Sequence, residues 1–410
     1  MLIVLKNSIW MDEIRETTVA LFEYCRRNNW AGYDPYDALN SRIFTHTPFF
    51  RSRICRIALT QIIKRLPVNI RPLLLIKKEE NPKALALFLA AFLKLSKLGL
   101  LSDKDLIRST VDKLVALRSL EDRYWCWGYS FPWQTRTIMV PRNAPNLVCT
   151  VFVANALLDV YETNSERRCL DMALSAARYM VNELFWTEGE EAGFSYPLPS
   201  SKSRVHNANF LGAALLCRVY ACSGNDEFIE PALRATRYSV AKQYPNGSWD
   251  YGELPTQRWV DNFHTGYNLC ALRSIGRSIN TEEFELAVQR GFAFYYTHFF
   301  EDKGAPKYFH DRTYPIDIHS VAQSIITFLT FCDLNDSAVK RALSVLTWSI
   351  KNMWNEHGYF YHQTFPFFKN KISYMRWAQA WMLLALSSLL ETLVLAQDGV
   401  FAQSYICNEW

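Results

Sequence analysis

Six times along the chain a polar or aromatic loop gives way to a helix-length apolar run rich in small residues. These runs are expected to begin at Pro82, Asn146, His206, Asp261, Asp317 and Tyr374. Successive starts lie 55 to 64 residues apart, the length of two ordinary helices and two loops. Segments such as FLGAALLCRVYA from Phe210, VAQSIITFLTF from Val321 and AWMLLALSSLL from Ala380 are apolar almost all round, so they must be covered on every side. Each of the first five is followed by a helix with a charged face, near residues 105–117, 166–184, 226–243, 281–299 and 337–353. Capping residues precede these helices: Ser102 or Asp103, Asn164 or Ser165, Asn225, Asn280, and Asn335 or Asp336. An inner ring sheathed by outer helices accommodates both types. The predicted fold is all-α, an α/α toroid of about six helical hairpins with long aromatic-rich loops at one end.

The N-terminal part adds helices near residues 8–29 and 51–64, separated by WAGYDPYDALNSRIF (residues 30–44). The Gly, Pro and Asp of that segment break any helix, and its aromatics suit a cap over the toroid mouth. Residues 1–50 therefore read as an N-terminal helix and cap loop, and residues 51–410 as the toroid, one structural unit. Short strands are expected near residues 193–196, 247–251 and 358–363, none long enough for a major sheet.

Half of the residues are apolar and 21% are charged, enough to bury a large core. The net charge of +5 comes from interleaved acids and bases. No basic run points to nucleic acid, and the mild positive balance is compatible with an anionic sugar. Ten cysteines show no CxxC pair or ligand spacing. Cys149, Cys217, Cys222, Cys270 and Cys332 lie in apolar stretches and read as buried thiols of a reducing compartment. The Leu2–Leu5 run is too short for a signal peptide. The apolar run at residues 377–395 is interrupted by Gln379 and Glu391 and reads as a buried helix, not a transmembrane segment. A cytoplasmic protein is expected.

The loops that open the inner helices carry the chemistry. They read YWCWGYSFPWQTR from Tyr124, NGSWDYGELPTQRWVDNFHTGYN from Asn246, KYFHDRTYPIDIHS from Lys307 and GYFYHQTFPFFKNKISYMRWAQAW from Gly358. Aromatic rings stack on the apolar face of a pyranose while short polar side chains bind its hydroxyls, so this mixture suits a sugar site. Trp125, Trp127, Trp133, Trp249, Trp259, Trp377 and Trp381 lie in these zones, with Asp250 beside Trp249; each Trp taken singly fits core filling as well. The sharpest cluster is Asp261, Asn262, His264, Tyr267 and Asn268. Asp261, His264 and Asn268 share one helix face, and a histidine beside a carboxylate can move protons near neutral pH. The plainer reading makes Asp261 a helix cap and His264 a core residue. Asp317 and His319 open the next inner helix, where Asp317 fits a cap as well as a catalytic carboxylate, with Gln323 one turn after His319. His310, Asp311 and Arg312 could hold a substrate carboxylate or pair among themselves. Arg136 and Arg376 suit an anionic substrate, because guanidinium pairs carboxylate bidentately; the alternative is a buried arginine bonding loop carbonyls. Gln134, Tyr374 and Gln379 flank them. His206 and Asn209 are weaker candidates, and His362 weaker still. No P-loop, GxGxxG, GxSxG, HExxH or EF-hand pattern occurs, and neither a metal nor a cofactor is expected.

With GYDPYDALNS, YPNGSWDYG, VDNFHTGYN, YPIDIHS and YMRWAQAW, the chain resembles a family encoded with bacterial surface-polysaccharide genes, often named delta-aminolevulinic acid dehydratase or prenyltransferase-like. The architecture resembles the six-hairpin toroids of glycoside hydrolases, polysaccharide lyases, sugar epimerases and terpenoid-type cyclases. The resemblance spans residues 30–390. The alternating strand–helix pattern of a β/α barrel and a DDxxD diphosphate–metal motif are both absent.

Two functions are consistent with these residues. The first is a carbohydrate-active enzyme working by general acid/base chemistry on an oligosaccharide or polysaccharide precursor, uronic-acid-containing ones included. Asp261 and Asp317 would be its carboxylates, His264, His319 and Tyr267 its proton carriers, and Arg136 and Arg376 its anion clamps. Two carboxylates flanking a bond imply hydrolysis; dominance of His or Tyr implies a lyase or epimerase. The second is a non-catalytic glycan-binding or scaffold protein of a polysaccharide biosynthesis complex.

Overall fold

The computed structural model describes residues 8–397 apart from Glu121 and Asp336. The Leu2–Leu5 run and Asp336 as a cap lie outside the described residues.

Among the described residues the inner helices are α4 (Pro82–Lys97), α6 (Leu147–Asn164), α8 (His206–Ser223), α10 (Asn262–Ser278), α12 (Ile318–Thr330) and α14 (Ala380–Gln397). Each packs on the next, and α14 returns to pack on α4, which closes the ring. Their sequences explain the placement. In α8 every residue from His206 to Val219 is buried, so the helix has no solvent face. The helical stretch Met375–Gln397 is long and apolar enough to cross a bilayer, yet it is mostly enclosed by protein as this last inner helix.

The outer helices are α5 (Lys104–Ala116), α7 (Arg167–Tyr179), α9 (Ile229–Val240), α11 (Glu285–His298) and α13 (Ala338–Met353), packed on α4, α6, α8, α10 and α12 respectively. In α5 only Ile107, Thr110, Val111 and Leu114 are buried, a single stripe at helical spacing. The sixth outer position, against α14, is filled by α1 (Ser8–Arg27). The short α2 (Arg42–Thr45) and α3 (Arg53–Arg65) follow α1 and build the cap.

Inner helices start where the side chain before them can accept a backbone N–H. Asn81, Asn146, Asp261 and Asp317 accept from Lys83, Cys149, His264 and His319. Among the outer helices Asp103 caps as expected. Asn225 instead caps a short 3-10 turn that leads into α9, and Asn335 accepts from Ser337. Asn164, Ser165 and Asn280 do not cap. Ser165 and Asn280 take left-handed turn conformations instead (φ 58° and 51°), and α7 and α11 begin without a side-chain cap.

Among the described residues strands are two to four residues long, in three two-stranded pairs and one three-stranded sheet. Residues 185–194 pair as Phe185–Glu188 with Glu191–Phe194, and Ile316–Asp317 pairs with Gln363–Thr364. The strand expected at residues 247–251 does not form. Gly247 there turns at φ 92°, with the space its Cβ would fill occupied by the Arg290 carbonyl 2.2 Å away. The nine described cysteines form no disulfide among the described residues; Cys222 is only half-buried, against the expectation of full burial.

Candidate active site

The loops before the inner helices meet at one end of the ring. Tyr196, Tyr251 and Tyr308 are densely surrounded by protein yet only half-buried, as side chains on the wall of a recess are. That enclosure raises all three hydroxyl pKa values, Tyr196 to about 12. Tyr251 stacks on Trp259 at 4.7 Å between ring centroids, and Trp133 faces Tyr129 and Tyr196 at 6.4 Å from each.

Asp261 does two jobs at once. As the cap of α10, its Oδ1 accepts the His264 backbone N–H at 3.0 Å. Its Oδ2 receives Nδ1 of His264 at 2.7 Å and the Trp259 indole N–H at 2.8 Å. The two readings left open by the sequence therefore coexist in one side chain. The carboxylate assigns the His264 proton to Nδ1, which leaves Nε2 as an acceptor. The Asp261 side chain is 1% exposed and that of His264 23%. The ring of His264 lies 4.6 Å from Tyr251 and 4.2 Å from Phe263.

One helical turn deeper, the Tyr267 hydroxyl lies 2.5 Å from Nε2 of His319. Burial first, then the charges of Lys83, Arg376 and His264, push the His319 pKa well below its ordinary value. His319 is thus neutral, its Nε2 accepting from Tyr267 and its Nδ1 without a hydrogen-bond partner. Trp377 and Trp381 flank it at 4.5 and 4.7 Å.

Asp317 is immobilised. Oδ1 accepts from the His319 backbone at 2.8 Å and the Trp377 indole at 3.0 Å, and Oδ2 accepts from Gln363 at 2.7 Å. His362 Nε2 stands 3.5 Å from Oδ2. Burial lifts this carboxyl to about 6. Both oxygens hold donors, so the residue organises His319 and Trp377 and has no lone oxygen facing the recess.

Several expected substrate contacts are used up inside the protein. Arg376 gives Nε and one Nη2 proton to Asp34, at 2.6 and 2.8 Å, in a buried pair stacked on Tyr129. Its side-on face is thus taken by Asp34 of the N-terminal segment, and its charge is already paired inside the protein. Arg136 is exposed on the tip between strands Trp133–Gln134 and Met139–Val140. Gln134 accepts from Arg56 at 2.7 Å. The indoles of Trp127 and Trp249 are buried and donate to the carbonyls of Leu114 and Ser239. Trp125 packs outward under Arg118. His206 is buried against α9, with Nδ1 3.3 Å from Ser239 Oγ, and Asn209 donates to the same hydroxyl. Gln379 exchanges two hydrogen bonds with the Phe360 backbone, and Tyr374 lies under the Arg71 guanidinium. Asp250 accepts from Tyr244, Asp311 is exposed beside Arg312, and His310 packs on Phe294 near the Val260 carbonyl. Asn268 is buried with Oδ1 unpartnered.

The structure also brings in residues the sequence reading passed over. Asp34 and Tyr36 come from the GYDPYD segment, and Lys64 of α3 donates to the Tyr36 hydroxyl at 2.6 Å while lying 5.9 Å from the Trp377 ring. Lys83 sits in the first turn of α4, 97% buried, with Nζ 4.0 Å from the Phe152 ring centroid. A lysine in the first turn of an inner helix, directly ahead of the apolar run from Ala84 to Leu93, was its signal. Among the described residues no group of three or more His, Cys, Asp or Glu is placed to hold a metal ion.

No family model matches the chain, and no curated protein matches it. Solved structures do. A cellobiose 2-epimerase from Bacillus thermoamylovorans superposes with TM-score 0.59 at 11% identity, covering 77% of this chain and 88% of that one. A family 76 α-mannanase from Bacteroides thetaiotaomicron gives TM-score 0.60 at 11% identity, with the same 77% and 88% coverage. A UGL complex with dGlcA-Glc-Rha-Glc gives 0.59 at 12%, covering 82% and 91%. The chain has the α/α-toroid fold. At these identities the similarity establishes fold alone.

Proposed function

We propose that the protein is a carbohydrate-active enzyme that moves a proton at a carbon of its sugar substrate, as an epimerase, isomerase or lyase does. The observation that carries this reading is His264: Nδ1 is locked on a buried carboxylate, Nε2 is free, and the ring is open to the recess. Tyr267 and neutral His319 supply a second proton-carrying pair behind it. The hydrolytic alternative needs two carboxylates flanking a bond. Asp261 and Asp317 are both buried with their oxygens already accepting hydrogen bonds, which argues against that role.

In this mechanism the aromatic walls formed by Trp133, Tyr251, Trp259 and Trp377 stack the sugar, and the enclosure excludes water. His264 Nε2 takes the proton from carbon while Asp261 stabilises the imidazolium that forms. Tyr267, relayed to His319, donates or receives the compensating proton. Thiols that form no disulfide among the described residues suit a cytoplasmic setting, and the surface-polysaccharide resemblance suits an oligosaccharide or polysaccharide precursor as substrate.

The test is a panel of neutral and uronic-acid-containing oligosaccharides incubated with the protein in D2O. Deuterium entering a carbon-bound position, and failing to do so with His264→Gln, supports the proposal. Cleavage by water without deuterium on carbon would replace it with hydrolysis. Binding without any product would replace it with a glycan-binding role.

A further inference from the structure

The proton-transfer reading leaves one problem, since a sugar C–H is far too weak an acid for histidine alone. Something must draw electrons from the neighbouring carbon. The recess contains one nucleophile not used so far. Lys83 is 3% exposed, and its Nζ is boxed by the rings of Phe152, Trp381 and Tyr267 at 4.0, 5.2 and 5.5 Å. Among the described residues no hydrogen bond or ion pair to a carboxylate reaches that amine, whereas Lys94 and Lys113 each have one. The nearest carboxylate in charge terms, Asp34, already serves Arg376. A permanently charged ammonium in such a site would carry a desolvation cost without an ion pair to offset it.

We propose that Lys83 is a covalent catalyst whose amine condenses with the open-chain aldehyde of a reducing sugar at the floor of the recess. This proposal rests on the proton-transfer reading of the same site and supplies its electron sink. The amine adds to the carbonyl carbon, and a proton from solvent carries the hydroxyl away as one water, which leaves a protonated imine; the same proton is given back when water later hydrolyses that imine. His264 then takes the proton from the adjacent carbon. The C–H electron pair becomes a C=C bond, and the imine π pair moves onto nitrogen to give an enamine. Return of a proton to that carbon on its opposite face restores the imine, and addition of water releases the epimeric sugar and the free amine. Atoms and electrons balance without any external oxidant, reductant or metal.

Two further features favour this role. Burial, followed by the charge of Arg376, pushes the Lys83 pKa well below its ordinary value, which favours the free, nucleophilic amine. The same site contains His264 and the Tyr267–His319 pair, which places proton carriers beside the reacting carbon.

The experiment uses D-glyceraldehyde as a small aldehyde probe, with borohydride to reduce any imine, followed by peptide mass mapping. At pH 7 the wild-type protein is expected to carry the reduced adduct on Lys83 at least tenfold above the mean of its exposed lysines. His264→Gln should label equally, which separates this result from the fate of the proton-transfer reading. Lys83→Arg, which keeps a cation among the rings, should lose the adduct while retaining the wild-type circular dichroism spectrum. Labelling spread over exposed lysines with Lys83 unmodified, in folded wild-type protein, would overturn the proposal and leave Lys83 as a charged group held by aromatic rings.

Discussion

The Tyr267 hydroxyl and Nε2 of His319, 2.5 Å apart, join two adjacent inner helices at the base of the recess. Tyr267→Phe removes the only proton in that contact. It should slow deuterium wash-in about 10²- to 10⁴-fold, the usual range for a lost acid–base partner. It should also cost roughly 1–3 kcal/mol of stability, because His319 Nε2 is left buried and unpaired. Turnover in D2O and a urea melt measure the two effects separately.

Asp261→Asn keeps an oxygen to cap α10 but can no longer fix the His264 proton on Nδ1. An amide turned toward the ring donates to Nδ1 and drives the proton to Nε2, the nitrogen that must act as base. We expect turnover to fall by about 10³- to 10⁴-fold, with a lower thermal midpoint as well, because the Trp259 indole N–H then meets an amide NH2 in place of its acceptor. An unchanged rate for a confirmed substrate would remove Asp261 and His264 from the mechanism.

Asp34→Ala strips the carboxylate from a buried guanidinium. The loss should be roughly 3–5 kcal/mol, the range for breaking one side of a buried ion pair. The double variant Asp34→Ala/Arg376→Met should regain much of it, since the stranded charge is gone. Denaturant unfolding of the four proteins of the cycle gives the coupling directly.

Gly266→Ala tests how closely α10 and α12 approach. A Cβ at that position would lie 2.6 Å from Gln323 Cγ and 2.8 Å from Thr327 Oγ1. Overpacking of this kind costs about 1–3 kcal/mol, read as a lower midpoint in urea. A neutral or stabilising effect would mean that the Gln323 side chain swings away freely.

Stability should fall with acidification in a window set by His206. Burial, then the Lys242 charge, lowers its pKa from 6.5 to about 4. The unfolded chain takes up the proton at about 6.5 while the folded chain resists, so this contribution is complete above 6.5 and lost progressively down to about 4. Its size is roughly 3 kcal/mol. His206→Asn should flatten that part of the melting-temperature profile between pH 7 and 4, leaving the shares of His319 and His362.

The ring was legible because its signal is collective. Apolar runs recurring at hairpin spacing admit few solutions; five inner starts, from Pro82 to Asp317, fall within a residue of their helices, and Tyr374 directly precedes the π-helical turn Met375–Gln379 that leads into α14. The outer starts were blurred where turns replaced caps, as at Asn280. Site residues are harder to read, because an arginine or tryptophan in an aromatic loop looks the same whether it faces a ligand or a neighbour. Arg376 finds its carboxylate 342 positions away, at Asp34, and no local pattern announces such a pair. Trp127 and Trp249 spend their indole N–H groups on backbone carbonyls inside the wall. Lys83 was passed over because it follows the charged stretch Lys77–Glu80 and reads as the solvated end of an apolar helix, whereas it is buried.

Because α1 takes the sixth outer place against α14, the ring cannot be sealed by local contacts alone. On the ribosome α1 must wait, with its apolar stripe uncovered, until α14 has been made. Closure on that seam is the contact with the greatest loop entropy to overcome, so it is where assembly should be slowest and where a weakened protein should first come apart.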